Sequence, residues 1–161
     1  MRFLVEIGLV AVVAAGGWML ATPAAPPGAV SPARAVTSLG DADAPGAKRA
    51  FALCHTGGGR DCVVDGDTFW MDGVKIRVAD IDAPETHPPR CPEEARLGKA
   101  ATLRLQALLS AGPVTLETGA RATDRYGRAL RIAVRDGRSL GAQLVAEGLA
   151  RRWIGHREPW C

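Results

Sequence analysis

Thr68–Met71 and Val74–Ala79 are two short runs of β-type residues joined by Asp72-Gly73, an arrangement that leaves the chain few options. An Asp-Gly pair between such runs is a strong hairpin signal, because a tight turn of the right twist needs positive φ at both residues. In the second run Val74, Ile76 and Val78 share one face while Lys75 and Arg77 take the other. Arg77 is therefore expected to point away from the apolar stripe.

The rest of the chain fits around that hairpin. Pro92 stands where a first helical turn accepts it, and Leu97, Ala101, Leu105 and Leu108 recur at helical spacing until Gly112-Pro113. Val114–Thr118 and Arg128–Arg135 are two more strand candidates, the second ending at Asp136-Gly137. Ser139 is placed to cap a short helix with Leu140, Leu144 and Val145 inward, ended by Gly148. The order β-β-α-β-β-α suits a mainly β domain with helices, a small five-stranded Greek-key barrel of the OB type, whose open face commonly takes nucleic acid.

At 161 residues the chain has room for one core of ordinary size. Its 20 Lys and Arg against 17 Asp and Glu leave a net charge of +3, too small an excess to name a nucleic-acid partner without a concentrated basic face. A charged fraction of 23% with a mean hydropathy near zero excludes both a disordered chain and a polytopic membrane protein.

Residues 1–22 read as a signal peptide or an N-terminal membrane anchor. The run Ile7–Ala21 is apolar, follows Arg2, and falls short of the roughly 20 residues that span a bilayer comfortably. Residues 23–50, rich in Ala, Pro and Gly without a helical or strand period, read as a linker, and Ala33-Arg34-Ala35 fits a cleavage pattern. The folded domain is expected over 51–161, exported to the periplasm or the medium or held at a membrane by the N-terminal segment. Its four cysteines, Cys54, Cys62, Cys91 and Cys161, suit two disulfides in an oxidising compartment. Three pairings are open. The favoured one joins Cys54 to Cys62 across a Gly-rich loop and leaves Cys91 to tie down Cys161.

Asp65, Asp67, Asp80, Asp82 and Glu85 crowd together where strands begin and end. Such a cluster is costly unless a cation lowers the repulsion, and hard divalent ions prefer these oxygen donors. A calcium loop of the EF-hand kind does not fit, because Phe69 and Trp70 stand where an oxygen ligand and a glycine are needed. His55, His87 and His156 form no metal-spaced pair and receive no role.

Three motifs in order, Asp65-Gly66-Asp67-Thr68, Arg77-x4-Asp82-x-Pro84-Glu85 and Asp124-x-Tyr126-Gly127-Arg128, resemble those of the thermonuclease, or staphylococcal-nuclease-like, family. The resemblance spans roughly Cys62 to His156. It implies a monomeric calcium-dependent nuclease that cuts DNA and RNA at the bond to the 5′ oxygen and leaves 3′-phosphate ends. Asp67 and Asp82 would hold Ca²⁺ through carboxylates and Ala83 through its main-chain carbonyl, where the family usually has threonine. Glu85 would activate water as general base, and Arg77 and Arg128 would grip the phosphate. Arg125 and Tyr126 would meet the terminal phosphate and stack near the nucleotide.

The sequence departs from that pattern at its end. The family's long C-terminal helix is expected to be absent, with the Cys91–Cys161 bridge, Trp153 and Trp160 supplying packing instead. Ile154 and His156 stand where the family has paired nucleotide-stacking tyrosines. Arg151, Arg152 and Arg157 make this tail basic, either to hold a nucleic-acid backbone or as a solvated face. The rival reading is a catalytically silent OB-fold module that binds nucleic acid or protein; a third is a membrane-tethered domain that binds Ca²⁺ for stability alone.

Overall fold

Asp72 and Gly73 have φ of 53° and 76°, the paired positive values that a two-residue hairpin turn requires. In the computed structural model, which describes residues 48–55 and 59–161, this turn joins β3 (Thr68–Met71) to β4 (Val74–Val78), with Phe69 opposite Ile76. The signal or anchor segment expected at 1–22 and nearly all of the linker expected at 23–50 lie outside the described residues. Among the described residues no helix is long and apolar enough to cross a membrane.

The strands β1 (Ala52–Leu53) and β2 (Cys62–Asp65) precede the hairpin, and β5 (Ile81–Asp82) follows it. After α1 (Pro92–Ser110) come β6 (Thr115–Thr123), β7 (Ala129–Arg135), β8 (Arg138–Ser139), α2 (Leu140–Ala146) and β9 (Arg151–Arg152). The main sheet runs β1-β2-β3-β4-β7-β6 with β8 beside β7, and β5 pairs with β9 separately. The domain is thus mostly β-sheet with two helices, consistent with an OB-type barrel carrying helices. Its five longer strands are β2, β3, β4, β7 and β6; β1 and β8 add two residues each, and among the described residues no ladder closes β1 onto β6.

The core lies between the sheet and the helices. Phe69 packs edge-on against Phe51, and Ile76, Val78, Ile81, Leu105, Leu109 and Leu144 belong to the same apolar cluster. α1 takes Pro92 in its first turn and buries Ala101, Leu105, Leu108 and Leu109 along one side. α2 begins as its sequence indicates, with the Ser139 hydroxyl accepting the Ala142 N–H at 3.0 Å.

The alternation expected for β4 holds only in part. Val74 at the hairpin end is exposed, while Arg77 is as buried as the apolar residues around it. The reason is local: the Asp67 turn and the β5 segment fold over the polar face of β4 and enclose the guanidinium with carboxylates. The cysteines are joined as Cys54–Cys62 and Cys91–Cys161, so the chain's last residue is bonded to the residue that precedes α1.

Candidate active site

The acidic residues converge because α1 serves as a shared platform for two loops. At Gly66 a Cβ would stand 2.6 Å from the Ala101 Cβ of α1 and 2.8 Å from that of Ala83, so this turn seats against the helix only without a side chain. At Gly98, inside α1, a Cβ would stand 2.9 Å from the Pro84 carbonyl oxygen and 3.0 Å from that of Glu85. The helix therefore presses directly on the backbone that carries Glu85.

Asp67 and Asp82 are both 3% exposed. The Asp67 Oδ2 accepts the Ala83 N–H at 2.9 Å, which fixes the two motifs to each other. Arg77 reaches across from β4: its Nη1 pairs with Asp67 Oδ1 and its Nη2 lies 3.5 Å from Asp82 Oδ1. One guanidinium thus bridges two buried carboxylates, and its planar fork suits that task better than an ammonium. Burial first, and the neighbouring charge of Arg157 second, pull the Arg77 pKa down to about 10. Burial also pushes the Asp65 carboxyl above its ordinary value, opposed by the charge of Arg77, and Asp65 Oδ1 accepts the Asp67 N–H at 3.1 Å.

The third motif is joined to the first through a hydroxyl. Thr68 Oγ1 donates to Asp67 Oδ1 at 3.1 Å and lies 3.5 Å from Arg128 Nη1, on the loop before β7. Asp124 builds that loop: its Oδ1 accepts the N–H groups of Tyr126 and Arg128, and its Oδ2 accepts Arg128 Nε at 2.6 Å. Burial alone would raise the Asp124 carboxyl, but these donors hold it below its ordinary value. Tyr126 is exposed, with the Arg125 and Arg128 guanidinium carbons 4.8 and 5.5 Å from its ring centroid.

A cleft of about 990 Å³ is lined by Arg77, Glu85, Arg125, Tyr126 and Arg128, together with Trp153 and Arg157 of the tail. With Lys75 and Arg121 it presents six cations against the carboxylates of Glu85 and Asp124. That is the concentrated basic face which the small net charge does not reveal.

Asp80 leaves the cluster in which sequence proximity places it. Its Oδ2 accepts the Ser139 hydroxyl at 2.5 Å, so it serves the start of α2 rather than the acidic site. Two groups that the motifs do not indicate enter instead. Glu94, in the first turn of α1, is fully buried and accepts the Glu85 N–H at 3.4 Å and the Arg90 N–H at 2.6 Å. The Arg90 side chain completes the set and holds the Glu94 pKa down at about 2, against the upward push of burial. The tail supplies the other group: Arg157 Nε lies 3.0 Å from Asp82 Oδ1, and its Nη1 pairs with Glu85 Oε1.

Residues 75–159 match the family model described as staphylococcal nuclease homologue, more than half of the chain. The chain belongs to that family.

This staphylococcal nuclease homologue is also similar to individual curated proteins. It is 33% identical over 112 residues to the succinoglycan biosynthesis protein ExoI of Rhizobium meliloti (strain 1021), covering 63% of this chain and 58% of that protein. It is 37% identical over 97 residues to the endonuclease YncB of Bacillus subtilis (strain 168), covering 56% of this chain and 45% of YncB. The same identity and length relate it to the SPbeta prophage-derived endonuclease YokF of that organism, of which 32% is covered. The chain therefore spans between about a third and three-fifths of the curated relatives it matches.

The groups that could serve a divalent ion as donors are two buried carboxylates, Asp67 and Asp82, next to the backbone of Ala83. Among the described residues no three His, Cys, Asp or Glu side chains gather as a metal-holding group. The carboxylates are nonetheless close enough for one guanidinium to bridge, and both accept positive charge. Hard oxygen donors completed by main-chain carbonyl, water and phosphate oxygens suit Ca²⁺.

Proposed function

We propose that this domain is an exported, Ca²⁺-dependent nuclease that hydrolyses phosphodiester bonds of DNA and RNA to 3′-phosphate ends. The observation that carries this reading is the Arg77 guanidinium bridging two buried carboxylates beside Glu85, at the wall of a basic cleft. Family membership and the endonuclease names of YncB and YokF support it. Two disulfides support export, since such bonds persist in oxidising compartments.

In this reading Asp67, Asp82 and the Ala83 carbonyl hold Ca²⁺. The chemistry the bound ion supplies is polarisation of a phosphate oxygen and relief of carboxylate repulsion. Glu85 takes a proton from water as the water oxygen attacks phosphorus in line with the 5′ oxygen. The new P–O bond forms, the bond to the 5′ oxygen breaks, and that oxygen takes up a proton. Arg77 and Arg128 oppose the charge that gathers on the phosphate oxygens in the transition state. Arg125 and Tyr126 flank the terminal phosphate and nucleotide, where an exposed ring with two guanidinium groups above it suits stacking and charge together.

The experiment is cleavage of single-stranded and duplex DNA and of RNA by the full oxidised chain, with Ca²⁺ or with chelator, beside Glu85→Gln. Cleavage that needs both Ca²⁺ and Glu85, with 3′-phosphate products, is the expected result. Binding without cleavage by the folded protein would leave the silent OB-fold module in its place.

A further inference from the structure

We propose that Arg157, delivered by the disulfide-tethered C-terminal tail, is a further positioning residue of this site: it holds Asp82 and Glu85 in the metal-free protein and is displaced when a divalent cation binds. The inference rests on the calcium-nuclease reading above and concerns the control of that same site.

The geometry is that of a stand-in cation. Arg157 Nε lies 3.0 Å from Asp82 Oδ1 while Nη1 of the same group pairs with Glu85 Oε1, so one fork spans the carboxylates assigned to the metal and to the base. The other oxygen of Asp82 accepts Trp160 Nε1 at 3.2 Å, also from the tail. Asp82 Oδ1 additionally has Arg77 Nη2 at 3.5 Å. Both oxygens of Asp82 are thus taken by protein donors, and a cation gains access by replacing at least the most exposed of them, Arg157.

Three contacts keep Arg157 in reach. Arg151 of β9 lies over the Trp160 ring, 3.9 Å from its centroid, and its Nη1 donates to the Pro159 carbonyl at 3.0 Å. Cys161 is bonded to Cys91. A tether of a few residues confines the guanidinium near its carboxylates and raises its effective concentration there, making it an intramolecular competitor of a free ion.

The test is calorimetric titration of the full oxidised chain with CaCl₂, comparing wild type, Arg157→Ala, and the double variant Cys91→Ser with Cys161→Ser. Removal of the competitor is expected to tighten Ca²⁺ binding by about twofold to fivefold in Arg157→Ala, the scale of partly exposed ion pairs. The double serine variant, which keeps every charge but loses the tether, tightens it in the same direction. A variant that is merely damaged binds more weakly, so tightening is a readout that a structural role does not produce. Unchanged or weaker binding in Arg157→Ala overturns the proposal. So does tightening in Arg157→Ala that is absent from the double serine variant, because it reports charge removal alone. Binding that is equal in all three proteins sinks this inference and leaves the calcium reading standing. Absence of binding in all three sinks both.

Discussion

Glu94, buried in the first turn of α1, accepts the main-chain N–H of Glu85 at 3.4 Å, so a helix residue holds the loop that carries the candidate base. The same carboxylate takes the Arg90 main chain and guanidinium, closing the 85–90 loop on itself. Glu94→Gln keeps the size of the side chain but removes the charge and half of its acceptor capacity. The expected outcome is a cleavage rate lower by about tenfold to a hundredfold, from displacement of Glu85 rather than from loss of a reacting group. Kinetics on Glu94→Gln beside Glu85→Gln check this, and equal rates for wild type and Glu94→Gln would dismiss it.

Acid stability follows from the same residue. The Glu94 pKa is held at about 2, below the ordinary glutamate value of about 4.3, because Arg90 and two main-chain N–H groups stabilise its charged form. The unfolded chain therefore takes up this proton first as pH falls. The contribution is fully present above about pH 4.3 and is lost progressively as pH falls towards 2. Asp124, also held below its ordinary value, acts in the same direction, whereas Asp65, raised by burial, acts in the opposite one. Thermal melts from pH 6 to pH 2.5 are expected to show a smaller acid loss in Glu94→Gln than in wild type.

Gly98→Ala is a contradiction built into α1. Alanine raises helix propensity by about 1 kcal/mol, yet its Cβ would meet the carbonyl oxygens of Pro84 and Glu85 at 2.9 and 3.0 Å. Backbone atoms cannot turn aside as a flexible side chain does. The loop must shift, and activity is expected to fall more than stability. Melting temperature and cleavage rate measured together test this, since a fall in Tm with unchanged activity would reverse the expectation.

Loss of the Arg77 charge leaves Asp67 and Asp82 buried without the guanidinium that bridges them. Arg77→Met is expected to cost about 3–5 kcal/mol in the absence of divalent ion, the scale of an uncompensated buried charge. Added Ca²⁺ is expected to restore more stability to this variant than to wild type. Urea unfolding with Ca²⁺ and with chelator measures both quantities.

The Cys91–Cys161 bond closes a loop of 70 residues in sequence. On chain entropy its removal costs about 4 kcal/mol. The double variant Cys91→Ser with Cys161→Ser is expected to melt well below wild type, and an unchanged Tm would show that the tail holds by its other contacts.

Much of the architecture is legible in local chemistry. The Asp72-Gly73 hairpin, the helix that starts at Pro92 and the Ser139 cap each rest on neighbouring residues, and each forms where its residues indicate. The motif residues Asp67, Arg77, Asp82 and Glu85 likewise come together, joined through Arg77 and Arg157. Contacts between distant residues are what the sequence hides. Arg157 meets Glu85 across 72 positions, and nothing near Arg157 distinguishes it from a solvated arginine. Glu94 reads as an ordinary acidic residue in a first helical turn until the loop folds over it. Asp80, two positions before Asp82, shows the reverse error, since nearness in sequence does not keep it in the cluster.

One two-residue ladder has a consequence out of proportion to its length. β5 and β9 pair over two residues each, with Asp82 opposite Arg151 and Ile81 opposite Arg152. A strand that short has no redundancy in register, and a slip of one residue would exchange the two arginines between faces. The stretch between the end of α2 and Arg151 is thus a ruler. An insertion there would uncouple the tail from the carboxylates while leaving the large sheet untouched, whereas the turn between β6 and β7 carries no such constraint on that register. Length, and not only residue type, is part of what this segment encodes.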